Sequence, residues 1–190
     1  LNPFVVLLGK GEHQIESSLT DPTYGYEIAT TLGFTRSNIT FVGTGKDTTT
    51  ILGGFAIENL ENITFKQMTA TNTSICGDGI YMSNAKVELM DVALNGCGHY
   101  ALYISNSTSV TTLVATRCEF ANSIDGAFIK SSFASATFNN CVFNDNSIHG
   151  IVGMDHSTIH LHGEATAVHS NEGCGIFAHV YAKVILHLPS

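Results

Sequence analysis

Charge is scarce in this sequence. Only 13% of its 190 residues are charged, and 8 Lys and Arg stand against 16 Asp and Glu, for a net charge of -8. That balance argues against nucleic acid or an anionic membrane surface as a partner, and it makes a polyanionic sugar a poor long-range match. Long apolar runs are missing as well. The opening apolar stretch, residues 4–8, is far below spanning length, so no membrane insertion is expected. It also lacks the basic flank and small-residue cleavage pattern of a signal peptide. The chain begins at Leu1 rather than Met, which fits a removed leader or a cut chain. The five cysteines (Cys76, Cys97, Cys118, Cys141 and Cys174) include no CxxC pair. Cys118 and Cys141 hold the same place one repeat apart, which reads as a column of small core thiols; spacing alone leaves a disulfide between neighbours open.

What the sequence does have is a phrase that returns. It reads Gly54-Phe-Ala-Ile, Gly79-Ile-Tyr-Met, Ala101-Leu-Tyr-Ile, Gly126-Ala-Phe-Ile, Gly150-Ile-Val-Gly and Gly175-Ile-Phe-Ala, with first residues 25, 22, 25, 24 and 25 positions apart. Such a period marks a solenoid in which each repeat is one turn of structure. A second phrase keeps step: Ile39/Phe41, Ile63/Phe65, Val87/Leu89, Leu113/Ala115, Ala136/Phe138, Ile159/Leu161 and Val184/Leu186. A weaker third follows as Val92/Leu94, Cys118/Phe120 and Cys141/Phe143. Three period-2 runs per repeat, separated by Asn, Gly and Ser, predict three short strands per coil. Stacking each strand on its copy gives parallel sheets. The predicted fold is all-β, a right-handed parallel β-helix of about seven coils, roughly 30 Å long at ~4.8 Å per coil.

The turns agree. Asn122, Asn146 and Asn171 each stand four residues ahead of a phrase glycine. Asn tolerates left-handed φ, and its amide reaches both its own turn and the next coil. At Asn95 the spacing slips to six, which predicts an irregular turn.

In chain order, residues 1–8 read as an opening strand and residues 9–15 as a turn into the first coil. Residues 17–31, with Pro22, are less periodic and read as a loop or excursion. Residues 1–190 are thus expected to form one β-helix domain, with 1–37 as cap and irregular first coil and 38–190 as regular coils. Gly43-Thr-Gly-Lys-Asp resembles a phosphate loop superficially, but the earlier glycine is missing and Asp47 replaces Ser/Thr. The chain stops just after a strand, so the expectation is that the native chain continues or that a partner or end-to-end stacking covers the end. Sequons at Asn38, Asn62, Asn72 and Asn106 are about what chance gives here, and lean weakly to a secreted, lumenal or cell-surface setting.

The stretch Phe41-Val-Gly-Thr-Gly-Lys-Asp-Thr-Thr-Thr-Ile-Leu-Gly-Gly54 resembles an early coil of pectin-lyase-like proteins. Asp78-Gly-Ile-Tyr and Asn122-Ser-Ile-Asp-Gly resemble the right-handed β-helix repeat of many carbohydrate-active proteins. Ile159-His-Leu-His-Gly-Glu and Val184-Ile-Leu-His-Leu-Pro resemble an uncharacterised algal subset of them. The likeness covers nearly the whole chain and implies the fold rather than an activity. That family includes polysaccharide lyases, hydrolases, pectin esterases and uronan epimerases. The polygalacturonase aspartates with Gly-His-Gly are absent, since Ile148-His149-Gly150 lacks the leading Gly. The pectin esterase block is absent too. The epimerase motif has only an echo in Tyr24-Gly25-Tyr26-Glu27, without its Asp and His, and no Arg/Asp cluster resembles the pectate lyase calcium site.

Three constellations remain. If Ile80 and Met82 point inward, then Ala56, Tyr81, Tyr103, Phe128, Val152 and Phe177 form an outward column. Its aromatics (Tyr81, Tyr103, Phe128 and Phe177) would offer a stripe to a sugar ring or a protein; the opposite alternation would bury it. Asp125 and His149 share a turn position in adjacent coils, near Tyr103 and Lys130. Tyr103, His149 and Lys130 supply the base, acid and carboxylate-neutralising group that a lyase or epimerase needs; the ordinary reading is a solvated turn pair beside a surface lysine. His162 and His187 match in adjacent coils with His160 and Glu164 nearby, a set for Zn²⁺ or Cu²⁺ if it is not merely a ladder of outward residues.

The sequence therefore predicts a non-catalytic structural or binding module for a polysaccharide or protein partner, without a cofactor. The alternative is a polysaccharide lyase or uronan C5-epimerase acting in a groove on the first sheet. An ice-binding face is not supported, because no regular Thr-x-Thr ladder runs along one side.

Overall fold

Alternating apolar residues can bury one side of a strand only if another sheet faces it, and here three sheets do so around a narrow interior. The computed structural model describes residues 2–16, 18–20 and 27–187. The first sheet stacks Glu27–Gly33, Gly54–Glu58, Ile80–Ser83, Tyr100–Ile104, Asp125–Lys130, His149–Met154 and Ile176–Ala178, all parallel. The second runs from Phe4–Leu7 through Ile39–Val42, Ile63–Thr71, Lys86–Asn95, Thr111–Thr116, Ala134–Asn139 and Thr158–His162 to Lys183–His187. The third joins Gly11–Gln14, Thr49–Leu52, the far halves of Ile63–Thr71 and Lys86–Asn95, Glu119–Ala121, Val142–Asn144 and Ala167–His169. This is the right-handed β-solenoid of about seven turns that the periodicity predicts, and the described residues contain no helix. None of them therefore forms a helix long and apolar enough to cross a membrane.

One corner explains how second and third sheets connect. Gln67, Asp91, Arg117, Asn140 and Gly163 occupy the same place in successive coils, with φ of 54, 55, 54, 52 and 89°. A single left-handed residue swings the chain from one sheet to the next. In Ile63–Thr71 and Lys86–Asn95 the pairing continues through the corner, so two expected strands are one bent strand. Arg117 and Asp91 stack along this edge, with Nε and Nη2 donating to the two carboxylate oxygens at 2.7 and 2.8 Å. That pairing holds the Asp91 carboxyl below its ordinary value.

Gly11–Gln14, expected as a turn, is a strand paired with Thr49–Leu52. Its residues Glu12, His13 and Gln14 show no apolar alternation, and the pairing is made by the backbone ladder, with Gln14 Nε2 also donating to Leu52 O at 3.5 Å. Within residues 17–31, expected as a loop or excursion, Ser18–Thr20 pairs antiparallel with Glu27–Gly33, the one antiparallel pair among the described residues. Pro22 and the Tyr24-Gly25-Tyr26 echo lie outside the described residues, as do residues 188–190.

The core has an aromatic block at each end of an aliphatic middle. Phe34, Phe41, Phe55 and Phe65 pack with ring centroids 4.7–6.0 Å apart. Phe120, Phe138 and Phe143 do so at 4.8–5.4 Å, with Met68, Met82, Leu89, Leu94 and Leu102 buried between the blocks. Cys118 and Cys141 are buried beside the second block, and all five cysteines are free thiols. The Cys118 thiol is held well above its ordinary value, by its hydrogen bond with Cys141 and then by burial.

The turns into the first sheet are tied by a side-chain ladder. The backbone N–H groups of Cys97, Ser123 and Asn146 donate to side-chain oxygens of Ser123, Asn146 and Asn171 one coil on, at 3.2, 3.1 and 3.1 Å. Asn122 is not a rung, although it stands four residues ahead of Gly126 as Asn146 does of Gly150. Ala121 pairs with Asn144, so Ser123 takes the rung while Asn122 turns the corner at φ 52° and donates its amide to Asn95.

Candidate functional site

The first sheet settles the alternation. Ile80, Met82, Leu102, Ile104, Ala127 and Ile129 are buried, and Tyr81, Tyr103 and Phe128 stand on the outer side, half-buried. Register places Ala56, Tyr81, Tyr103, Phe128, Val152 and Phe177 in one column. Val152 departs from its neighbours at 2% exposure, shaded by the larger rings on either side. Phe177, at 37%, is the most open.

The rings form a continuous patch. Tyr81 and Tyr103 meet edge-on at 5.6 Å, and Tyr103 and Phe128 at 5.7 Å. Tyr100, which the sequence reading passed over, completes it: its ring stacks on Phe128 at 4.8 Å and meets Tyr103 edge-on at 5.2 Å. The signal was present in His99-Tyr100-Ala101, but taking Ala101 as the start of the phrase placed the tyrosine in a turn. Tyr81 Oη lies 2.9 Å from Ser105 Oγ, which fixes one end of the patch.

Beneath the patch sits a polar cradle. One Asp78 carboxylate oxygen accepts the Tyr100 N–H at 3.1 Å and lies 3.0 Å from His99 Nδ1. The His99 ring centroid is 3.6 Å from that of Tyr100. Burial pushes the Tyr100 phenol up to about 12, helped by the charges of Asp125, Tyr103 and Asp78. Tyr103 is raised as well, by burial and then by Tyr81 and Asp78. Burial also raises the Asp125 carboxyl, against the His149 N–H that it accepts.

The four residues considered for uronan chemistry are not one cluster. Asp125 and His149 are register partners, but Asp125 Oδ1 accepts the His149 backbone N–H at 2.8 Å. The imidazole is used elsewhere: its Nδ1 accepts the Cys174 N–H at 2.9 Å, and its ring stacks on Phe177 at 5.2 Å. Lys130 pairs with Met154 at the far end of the same strand, five residues from Asp125 and so roughly 16 Å along it. Tyr103 lies between them.

The histidines do come together. His162 pairs with His187, with rings 3.7 Å apart and nearly parallel at 10°. His160 Nδ1 is 3.0 Å from His187 Nε2. Ligand nitrogens of all three lie within 4.8 Å of one another, and Glu164 is not part of this group. Desolvation, then His187 and His160, lowers the His162 pKa.

Residues 5–166 match the family model described as "right handed beta helix region", which is more than half of the chain. No curated protein and no solved structure matches it. The narrower likeness to algal sequences remains an expectation.

Proposed function

This chain belongs to the right-handed β-helix family, and from that premise we propose that it is a non-catalytic binding module whose first sheet holds a neutral glycan. The observation that supports this is the patch of Tyr81, Tyr100, Tyr103 and Phe128, outward on neighbouring strands and in mutual contact. Strands repeat every ~4.8 Å, of the order of one sugar ring, so successive rings of an extended glycan would meet successive coils. Aromatic faces take the apolar face of a sugar, and the rim hydroxyls of Tyr81 and Ser105 offer hydrogen bonds. The net charge of -8 favours a neutral polymer over a uronan.

The lyase or epimerase reading is weaker on this geometry. A tyrosine base needs its phenol lowered toward the working pH, and burial moves Tyr103 the other way. His149 spends its Nδ1 on the backbone, and Lys130 is a strand's length from it.

Affinity electrophoresis and titration calorimetry against neutral and acidic polysaccharides test the reading. Binding to a neutral glycan should weaken at least tenfold in Tyr103→Ala and Phe128→Ala, an anchor-ring loss of ~1.4 kcal/mol or more. Undiminished binding in both variants, or none to any glycan, would sink it. Release of unsaturated sugars from a uronan would install the enzyme in its place.

A further inference from the structure

We propose that His160, His162 and His187 form a site for a late first-row divalent cation, Zn²⁺ or Cu²⁺, with three imidazole nitrogens as ligands and one position open to water. The site lies on the second sheet, away from the aromatic patch, so either can fail without the other.

Strand geometry assembles the set. His160 and His162 are two residues apart on Thr158–His162 and therefore point to the same side, ~6.6 Å apart at the backbone. His187 sits directly across from His162 on Lys183–His187, ~4.8 Å away. The three Cα atoms mark a small triangle on one outer face, from which three rings can converge above its centre. A Zn–N bond of ~2.05 Å puts two ligand nitrogens about 3.3 Å apart at the tetrahedral angle. His160 Nδ1 and His187 Nε2 are already 3.0 Å apart, and no pair in the triad exceeds 4.8 Å.

A plain ladder of stacked outward residues accounts for less. It explains why His162 lies over His187, since they are register partners. It does not explain His160, whose own column holds Thr137 and Ile185. His160 nonetheless points its Nδ1 diagonally at His187 Nε2. A 3.0 Å contact between two ring nitrogens needs a proton between them, and a metal ion takes the place of that proton. An ion lies in the plane of each imidazole that binds it, so the parallel rings of His162 and His187 must splay on binding. Both have solvent on their outer side to do so. The donor set is neutral nitrogen without carboxylate, which suits Zn²⁺ or Cu²⁺ and disfavours Ca²⁺ and Mg²⁺. A bound ion would tie Lys183–His187 to Thr158–His162 through side chains in addition to the backbone ladder. Three histidines and an open position are also the ligand count of catalytic zinc sites.

The test uses the full chain without an affinity tag, stripped with chelator, in a Cys76→Ser/Cys174→Ser background that removes both exposed thiols. ZnCl₂ is titrated at pH 7.5 by calorimetry, and CuCl₂ is followed by electron paramagnetic resonance for nitrogen ligation. One ion per chain is expected, with a rise in melting temperature through mass action. His160→Ala, His162→Ala and His187→Ala should each weaken binding at least tenfold, the lower bound set by losses seen for mere outer-shell partners. His156→Ala and His179→Ala should change nothing. Unaltered melting of the metal-free variants separates lost ligation from lost fold. Absence of saturable binding, equal weakening by His156→Ala, or full binding in His160→Ala would each overturn the three-ligand site, the last leaving only a histidine ladder.

Discussion

The coil that opens at Gly126 and the coil that opens at Gly175 carry nearly the same phrase in different surroundings. Asp125–Lys130 has a parallel neighbour on each side, whereas Ile176–Ala178 pairs only with His149–Met154 among the described residues. Ala127 is 0% exposed, and Ile176 in the same column is 38% exposed. Burial in this molecule is therefore a property of the stack rather than of the phrase. Each coil's stability is set by the interfaces it shares, as expected of a nearest-neighbour solenoid.

The widest gap between the two regions should appear on truncating core side chains. Phe138→Ala removes a fully buried ring wedged edge-on against Phe120 and Phe143, and should cost about 3–5 kcal/mol. Leu186→Ala, 60% exposed, should cost less than about 1 kcal/mol. Denaturant midpoints measure both, and comparable losses would mean that the two coils are equally enclosed.

A closer comparison uses the phrase glycines. A Cβ on Gly126 would lie 2.6 Å from Gly150 O and 2.9 Å from Asn146 Nδ2, whereas one on Gly175 meets only Val168 Cγ1 at 3.3 Å. Gly126→Ala must push the next coil's backbone aside, a strain of roughly 1–3 kcal/mol. Gly175→Ala should be close to neutral. Thermal melts of the two variants settle it, and a Gly175→Ala loss as large as that of Gly126→Ala would break the comparison.

The smallest effect is pH-dependent and is confined to the histidine-bearing coils. The His162 pKa is lowered in the fold, so the metal-free folded chain binds fewer protons there than the unfolded chain. Its contribution is present above the unfolded value of ~6.5 and is lost as pH falls through the lower folded value. Hydrogen exchange at pH 7.5 and pH 5, corrected for intrinsic rates, should show residues 159–187 losing protection while residues 39–104 keep theirs. Uniform loss, or no loss, would place the acid response elsewhere.

Much of the architecture could be read beforehand because period-2 alternation against a constant repeat leaves few choices. Strands were expected to begin near Gly54, Gly79, Ala101, Gly126, Gly150 and Gly175, and they begin at Gly54, Ile80, Tyr100, Asp125, His149 and Ile176. What escaped depended on backbone pairing or on one-residue slips. Gly11–Gln14 is held by its neighbour's amides, which no side-chain pattern reports. Asn122 and Asn146 look equivalent by distance from the following glycine, yet the step from Ala121 to Asp125 is one residue shorter than that from Asn144 to His149, so Ser123 rather than Asn122 lies beside Asn146 as the rung. The supposed quartet failed on length: Asp125 and Lys130 share a strand, but at opposite ends. The histidine triad was within reach because His160, His162 and His187 sit on strands whose register the phrases fix.

Across four coils the left-handed corner also makes the chain a ruler. Seven residues separate Ile63 from Ala70, Val87 from Leu94, Leu113 from Phe120 and Ala136 from Phe143, with Gln67, Asp91, Arg117 and Asn140 as the bends. Between first and second sheets the distance is elastic: five residues from Met82 to Val87, nine from Ile104 to Leu113. At the left-handed corner the spacing is constant through these four coils and longer on either side of them, twelve residues from Ile39 to Ile51 and nine from Ile159 to Val168. Extra residues at this corner are looped out: the first coil carries five more than the Ile63–Ala70 span, an odd number, and Ile51 still faces the core at 4% exposure. Whole turns, cut from corner to corner, are the natural currency of gain and loss in such a chain: joining Thr116 directly to Asn140 would bring like onto like.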